Sequence, residues 1–217
     1  MTTYALHGFL GRPEDWKQID PSWHGVELNP YVPFSLNSTI STSENFLVGY
    51  SMGGRLALQT LLQEPCKWAG ACIISAHPGL QEGKEERLAV DLNWANRFLT
   101  DPWEELMSSW NSQPVFGGRG PVRKEQYYER DKLAAMLDVW SLGRQEDLRE
   151  KIASCPVPII WVVGEEDEKF CALAKSLRFS HPASHVWMCP GAGHRVPYEA
   201  PEVLAKKLST HKKFISL

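Results

Sequence analysis

The sequence predicts an α/β fold: a mostly parallel sheet of about six strands, flanked by helices and interrupted by a helical insertion. Three observations carry that expectation. Short β-rich runs alternate with helix-forming stretches, a glycine-rich turn joins the third run to a helix, and residues 77–154 carry helical patterning with no convincing strand.

The β-rich runs fall at residues 3–6, 25–28, 45–48, 70–74, 158–163 and 185–189. Alternation of such runs with helices implies parallel strands, whose chemistry sits beyond their carboxyl ends. The residue after each run is therefore the first place to look for function. Residues 1–76 and 155–217 supply the core, and residues 77–154 form a cap. Within the cap, amphipathic segments fall at 85–99, 102–110 and 133–142, with Asp101 as N-cap and Pro102 at the first helical position of the second. Helices this short cannot bury an apolar face alone, so they should roof the active end of the sheet.

Composition narrows the function. With 217 residues, 43% of them apolar, the chain suffices for one sizeable core. A formal charge of −3 leaves no broad basic footprint for nucleic acid or anionic membrane. No apolar run approaches the roughly 20 residues that span a bilayer, and Met1-Thr2-Thr3-Tyr4 has neither basic nor apolar leader character. Five cysteines without C-x-x-C spacing read as reduced thiols, which together imply a cytoplasmic protein. No His/Cys cluster has metal-ligand spacing, and no cofactor is expected.

The third run feeds Gly49-Tyr50-Ser51-Met52-Gly53-Gly54 and then a good helix former beginning at Arg55. Strand, sharp turn and helix are the context a G-x-S-x-G nucleophile requires. A nucleophile on a strained turn needs neighbours without Cβ atoms, so Ser51 is the expected nucleophile. Its base and orienting acid follow in the chain order Ser, Asp, His. The fifth run ends at Gly164, and Glu165-Glu166-Asp167 places acids beyond it; Asp167 is the preferred one, with Glu165 and Glu166 as rivals. The sixth run enters Pro190-Gly191-Ala192-Gly193-His194, so His194 is the expected base. After the first run, His7-Gly8-Phe9 should contribute the Phe9 N–H, paired with that of Met52, to an oxyanion hole. Together these elements define an α/β-hydrolase fold.

That fold hosts many chemistries, so function must come from the pocket. The segments Ala76-His77-Pro78-Gly79-Leu80-Gln81, Trp94-Ala95-Asn96-Arg97-Phe98-Leu99, Trp110-Asn111-Ser112-Gln113-Pro114-Val115-Phe116 and Leu133-Ala134-Ala135-Met136-Leu137 resemble one family closely. It is the 2-succinyl-6-hydroxy-2,4-cyclohexadiene-1-carboxylate (SHCHC) synthase family of menaquinone biosynthesis, or MenH, and the resemblance runs from His7 to about Pro201. It implies a lyase that eliminates pyruvate from 2-succinyl-5-enolpyruvyl-6-hydroxy-3-cyclohexene-1-carboxylate, the serine acting as a general base with His and Asp behind it. Such a multi-carboxylate, anionic substrate needs converging guanidinium groups. The resemblance assigns Arg55, one turn past Ser51, and Arg87, on the first cap helix, to substrate carboxylates. It puts Tyr50, Trp110 and His77 in the pocket too. A third substrate arginine falls out of register, with Arg123 and Arg130 both near it. The family's N-terminal strand hairpin is missing, its Asp-x-Pro-Gly-His-Gly is replaced by Glu27-Leu28-Asn29-Pro30-Tyr31, and the helix before the third run has shrunk to a Ser/Thr-rich stretch. Acyl transfer by a carboxylesterase or thioesterase uses the same triad and is the alternative; a non-catalytic binding protein is a third reading, disfavoured by the intact triad.

Overall fold

The computed structural model describes residues 2–36 and 44–215. The Ser/Thr-rich stretch that replaces a helix before the third run lies largely outside those residues. Six parallel strands form one sheet: β1 (Thr2–Leu6), β2 (His24–Val26), β3 (Asn45–Tyr50), β4 (Trp68–Ile74), β5 (Ile159–Gly164) and β6 (His185–Cys189), in the order β2-β1-β3-β4-β5-β6. The first crossovers run outward from β1 in one direction and from β3 in the other, so the strand order reverses at β1. Here Leu6 and Gly49 are in register, and the loops after β1 and β3 leave the sheet side by side. That reversal opens the crevice in which ligands of such sheets bind.

Side chains of the central strands alternate between two apolar layers, as period-2 geometry demands. Leu47, Ala71, Ile73, Trp161 and Val163 face one layer, joined by α1 (Met52–Gln63), the cap and α6 (Glu168–Lys175). Phe46, Val48, Cys72, Ile74, Ile160 and Val162 face the other, covered by Trp16 and Trp23 near the N-terminus and by Leu204 and Leu208 of α8 (Pro201–Ile215). Both faces of the sheet are thus covered, which accounts for the near-continuous apolar character of β3 and β5.

Between β4 and β5 lie α2 (Lys84–Thr100), α3 (Trp103–Asn111), α4 (Arg130–Val139) and α5 (Arg149–Ala153). Two local expectations are corrected. Pro102, not Asp101, is the N-cap of α3: the Asp101 carboxylate instead accepts from Arg97 Nε at 2.7 Å at the end of α2. The third cap segment starts at Arg130 and stops at Val139, because Ser141 turns back to donate to Asp91 at 2.8 Å, leaving Leu142 in a 3-10 turn. The cap is tied to the sheet by polar contacts: Tyr128 donates to the Leu10 carbonyl at 2.9 Å, and Lys132 pairs with Glu27. A short α7 (Val196–Glu199) leads from the last loop into α8.

Candidate active site

The turn after β3 is built by close approach. A Cβ on Gly49 would stand 2.5 Å from the Gly53 carbonyl oxygen, and one on Gly53 would stand 2.2 Å from that of His7. Only glycines let the start of α1 press against β3 and against the end of β1. Ser51 is left at φ 52°, in the left-handed region, with its N–H donating to the Ile74 carbonyl at 2.8 Å. This is the backbone strain that a G-x-S-x-G turn imposes.

The three residues expected to act together are brought together. Ser51 Oγ lies 3.3 Å from His194 Nε2, and His194 Nδ1 lies 2.8 Å from Asp167 Oδ2. His194 and Asp167 are both buried, with Phe170 packed edge-on against the imidazole at a 4.6 Å centroid separation. Asp167 Oδ1 also accepts the Phe170 N–H at 3.2 Å, capping α6. The rival Glu165 and Glu166 side chains are exposed; Glu166 pairs with Arg119 at 2.8 Å. Met52 opens α1, so its N–H has no intrahelical acceptor, and Met52 and Phe9 both line the cavity at Ser51.

That cavity has a volume of about 690 Å³ and runs from the triad to the cap. Arg55 lines it, donating through Nη2 to the Trp140 carbonyl at 2.7 Å and through Nη1 to Gln145 Oε1 at 3.2 Å. It makes no ion pair among the described residues, and burial, aided by the neighbouring Arg87, pushes its pKa down to about 10. Gln145 in turn donates to the His77 carbonyl at 3.3 Å, tying the arginine to the loop after β4. Arg87 reaches the cavity from α2, with Nε held between both Asp91 oxygens at 3.0 Å. His77 accepts the Gly79 N–H on Nδ1 at 3.2 Å, which leaves its hydrogen on Nε2. Burial and the surrounding cations Arg149, Lys169, Arg87 and Arg55 push His77 down to about 4, so near neutral pH it is an uncharged donor. Trp110 serves two ends at once: it lines the cavity and packs at 4.9 Å from Phe9 and from Trp94, and at 5.5 Å from Phe98.

Other residues fall elsewhere. Tyr50 does not line the large cavity but a smaller one adjoining Ser51, and burial raises its phenol pKa. Neither Arg123 nor Arg130 reaches the large cavity. Arg123 grips Asp15 through two hydrogen bonds of 2.9 and 3.2 Å, and Arg130 donates to Glu125 and to the carbonyls of Phe98 and Asp101. The additional cations on its wall, Arg119 and Lys169, carry no pattern that sequence reasoning could have weighed, since one sits in an irregular loop and the other on an exposed helix face. Among the described residues no group of three or more His, Cys, Asp or Glu side chains could hold a metal, and no helix is long and apolar enough to cross a membrane.

A serine on a strained strand-to-helix turn, followed in the chain by a buried aspartate and then the histidine it orients, defines an α/β-hydrolase, and residues 4–207 match the model of the alpha/beta hydrolase family. Among curated proteins, the 2-succinyl-6-hydroxy-2,4-cyclohexadiene-1-carboxylate synthase of Escherichia coli O1:K1 is 33% identical over 96% of this chain and 92% of its own length. That of Klebsiella pneumoniae is 31% identical over 90% and 87%. Within the alpha/beta hydrolases, the chain belongs to this synthase family, MenH. The structure of MenH from Staphylococcus aureus superposes with a TM-score of 0.84 at 22% identity, covering 100% of this chain and 95% of the other. A malate-bound esterase of Thermogutta terrifontis has a TM-score of 0.74 at 18% identity, covering 100% and 91%. These two likenesses show the shared fold.

Proposed function

We propose that this protein is the menaquinone-pathway lyase that eliminates pyruvate from 2-succinyl-5-enolpyruvyl-6-hydroxy-3-cyclohexene-1-carboxylate. The observation that carries the reading is Arg55. A guanidinium satisfied only by a carbonyl and an amide, on the wall of the cavity that Ser51 opens into, leaves a charge for an anionic ligand to neutralise. An esterase for simple neutral esters has no use for that charge.

On this reading Ser51, through His194, takes the proton from the ring carbon bearing the succinyl group. The electron pair forms a new C2–C3 double bond, the ring double bond moves to C4–C5, and the C5–O bond breaks to release enolpyruvate. Asp167 holds the ring of His194 in the tautomer that can accept the proton on Nε2. The N–H groups of Phe9 and Met52 steady the succinyl carbonyl as it gains charge. Arg55, Arg87, His77 and Trp110 hold the carboxylates and the ring. A free, water-soluble polyanion needs no membrane for this step, which supports a cytoplasmic setting.

The test is direct. The purified protein, mixed with the pathway intermediate, should release pyruvate, followed with a coupled lactate dehydrogenase assay. A folded protein that forms no pyruvate, yet turns over p-nitrophenyl esters briskly, would make it a carboxylesterase or thioesterase instead.

A further inference from the structure

Ser51 borders two cavities. The smaller, about 60 Å³, shares Phe9, Trp110 and Phe116 with the larger one and adds walls from Tyr50, Asn111 and Arg195. Arg195 follows the histidine of the triad in sequence and is 7% exposed. Its guanidinium donates to Asn111 Oδ1 at 2.8 Å and to the Arg119 carbonyl, and lies 4.0 Å over the Phe116 ring. It makes no ion pair among the described residues. Arg123, on the same cavity wall, is by contrast neutralised by Asp15. Buried guanidinium groups are normally matched by carboxylates, and Arg195 is the one on this wall that is not.

We infer that the small cavity is a subsite for a small carboxylate, with Arg195 as its cation, and that it takes the three-carbon enol acid released in the proposed reaction. The identity of that occupant rests on the lyase reading; the carboxylate subsite does not. Size supports it: the volume is several times the roughly 10–15 Å³ that one water requires, yet a small fraction of the neighbouring cavity, so a short acid enters and a substituted ring does not. Charge supports it, because a carboxylate would meet Arg195 with a charge-assisted hydrogen bond in a site walled by Phe9, Trp110 and Phe116. Position supports it as well: Ser51, Phe9, Trp110 and Phe116 border both cavities, so one arm of a ligand held over Ser51 can enter the smaller one. When the C5–O bond breaks, its electron pair stays on the departing enol oxygen. The enolate takes up one proton to become pyruvate, while Arg195 compensates the carboxylate throughout.

Pyruvate itself is the probe. Saturation-transfer NMR should show it binding the wild-type protein, and it should inhibit turnover of the intermediate. Arg195→Gln should weaken pyruvate binding and raise its inhibition constant at least about tenfold, with Arg195→Lys falling between the two because it keeps the charge without the planar fork. Arg55→Ala, in the other cavity, should leave pyruvate affinity within about twofold. No binding to the wild type, equal affinity in Arg195→Gln, or a loss as large in Arg55→Ala would each overturn the subsite. If Arg195→Gln fails to give a cooperative thermal melt, the Lys variant decides the matter on the same binding measurement. A wild type that binds pyruvate through Arg195 but forms none from the intermediate would sink the lyase reading and keep the subsite.

Discussion

The floor and the roof of the large cavity are held by different physics. On the floor, Ser51 is fixed by main chain: glycines at 49 and 53 let β3, α1 and the end of β1 approach within distances a Cβ would forbid. On the roof, Arg87 is fixed by side chains, through Asp91 and then Ser141, and Trp110 by its aromatic neighbours Phe9, Trp94 and Phe98. A main-chain device is all or nothing, whereas a side-chain device gives by degrees. On the proposed reading, the chemistry that demands sub-ångström placement sits on the first, and the groups that grip a ligand's periphery sit on the second.

The contrast predicts a ranking. Ser51→Ala should show the largest effect, a loss of pyruvate formation of about 100- to 10,000-fold with an unchanged thermal melt, since it removes the group at the reacting proton alone. Arg55→Ala comes next, weakening transition-state binding by about 2 kcal/mol in kcat/KM for the intermediate; unchanged kinetics would remove Arg55 from the ligand. Arg87→Ala should cost about 1 kcal/mol in the same measurement, because its side chain is 41% exposed and solvent already screens it. A roof substitution that matched Ser51→Ala would erase the distinction between the two regions.

The smallest effect is a pH dependence. His77 stays neutral in the fold down to about pH 4, whereas an unfolded histidine gains its proton below about 6.5. The unfolded state therefore binds more protons as pH falls through that window, and stability declines from about 6.5 toward 4, then levels off. His7, lowered by its own burial, contributes in the same direction. Urea midpoints of His77→Gln should fall less steeply between about pH 7 and pH 5 than those of the wild type. An identical slope would mean that His77 is protonated in the fold.

Much of the floor is legible in the sequence because its constraints are local. Glycines must flank a strained serine, and a parallel sheet delivers the residues after each strand to one edge, so Ser51, Asp167 and His194 can be found by position. The roof depends on contacts distant in the chain. Nothing near residue 139 announces that Ser141 will turn toward Asp91, fifty residues away, so the third cap segment shifts by several residues. The Arg97–Asp101 pair is the local exception, an i,i+4 contact that competes with capping at 101. The arginines show the same divide. Arg55 is placed by helical spacing from Ser51, while Arg123 and Arg130 are withdrawn from the large cavity by partners, Asp15 and the carbonyls ending α2, that only the fold brings to them. Cations outside any motif, such as Arg119 and Arg195, gain meaning only from the cavities they line.

Asp167 serves two masters, one oxygen starting α6 and the other facing His194. An asparagine there could keep only one of those bargains intact. Its amide oxygen would still cap the helix, and its NH₂ would then meet Nδ1, forcing the ring's own hydrogen onto Nε2, the nitrogen turned to Ser51. Such a protein would fold, melt and crystallise like its parent with its proton acceptor stoppered. At this position, screening by stability alone would pass an inert molecule as sound.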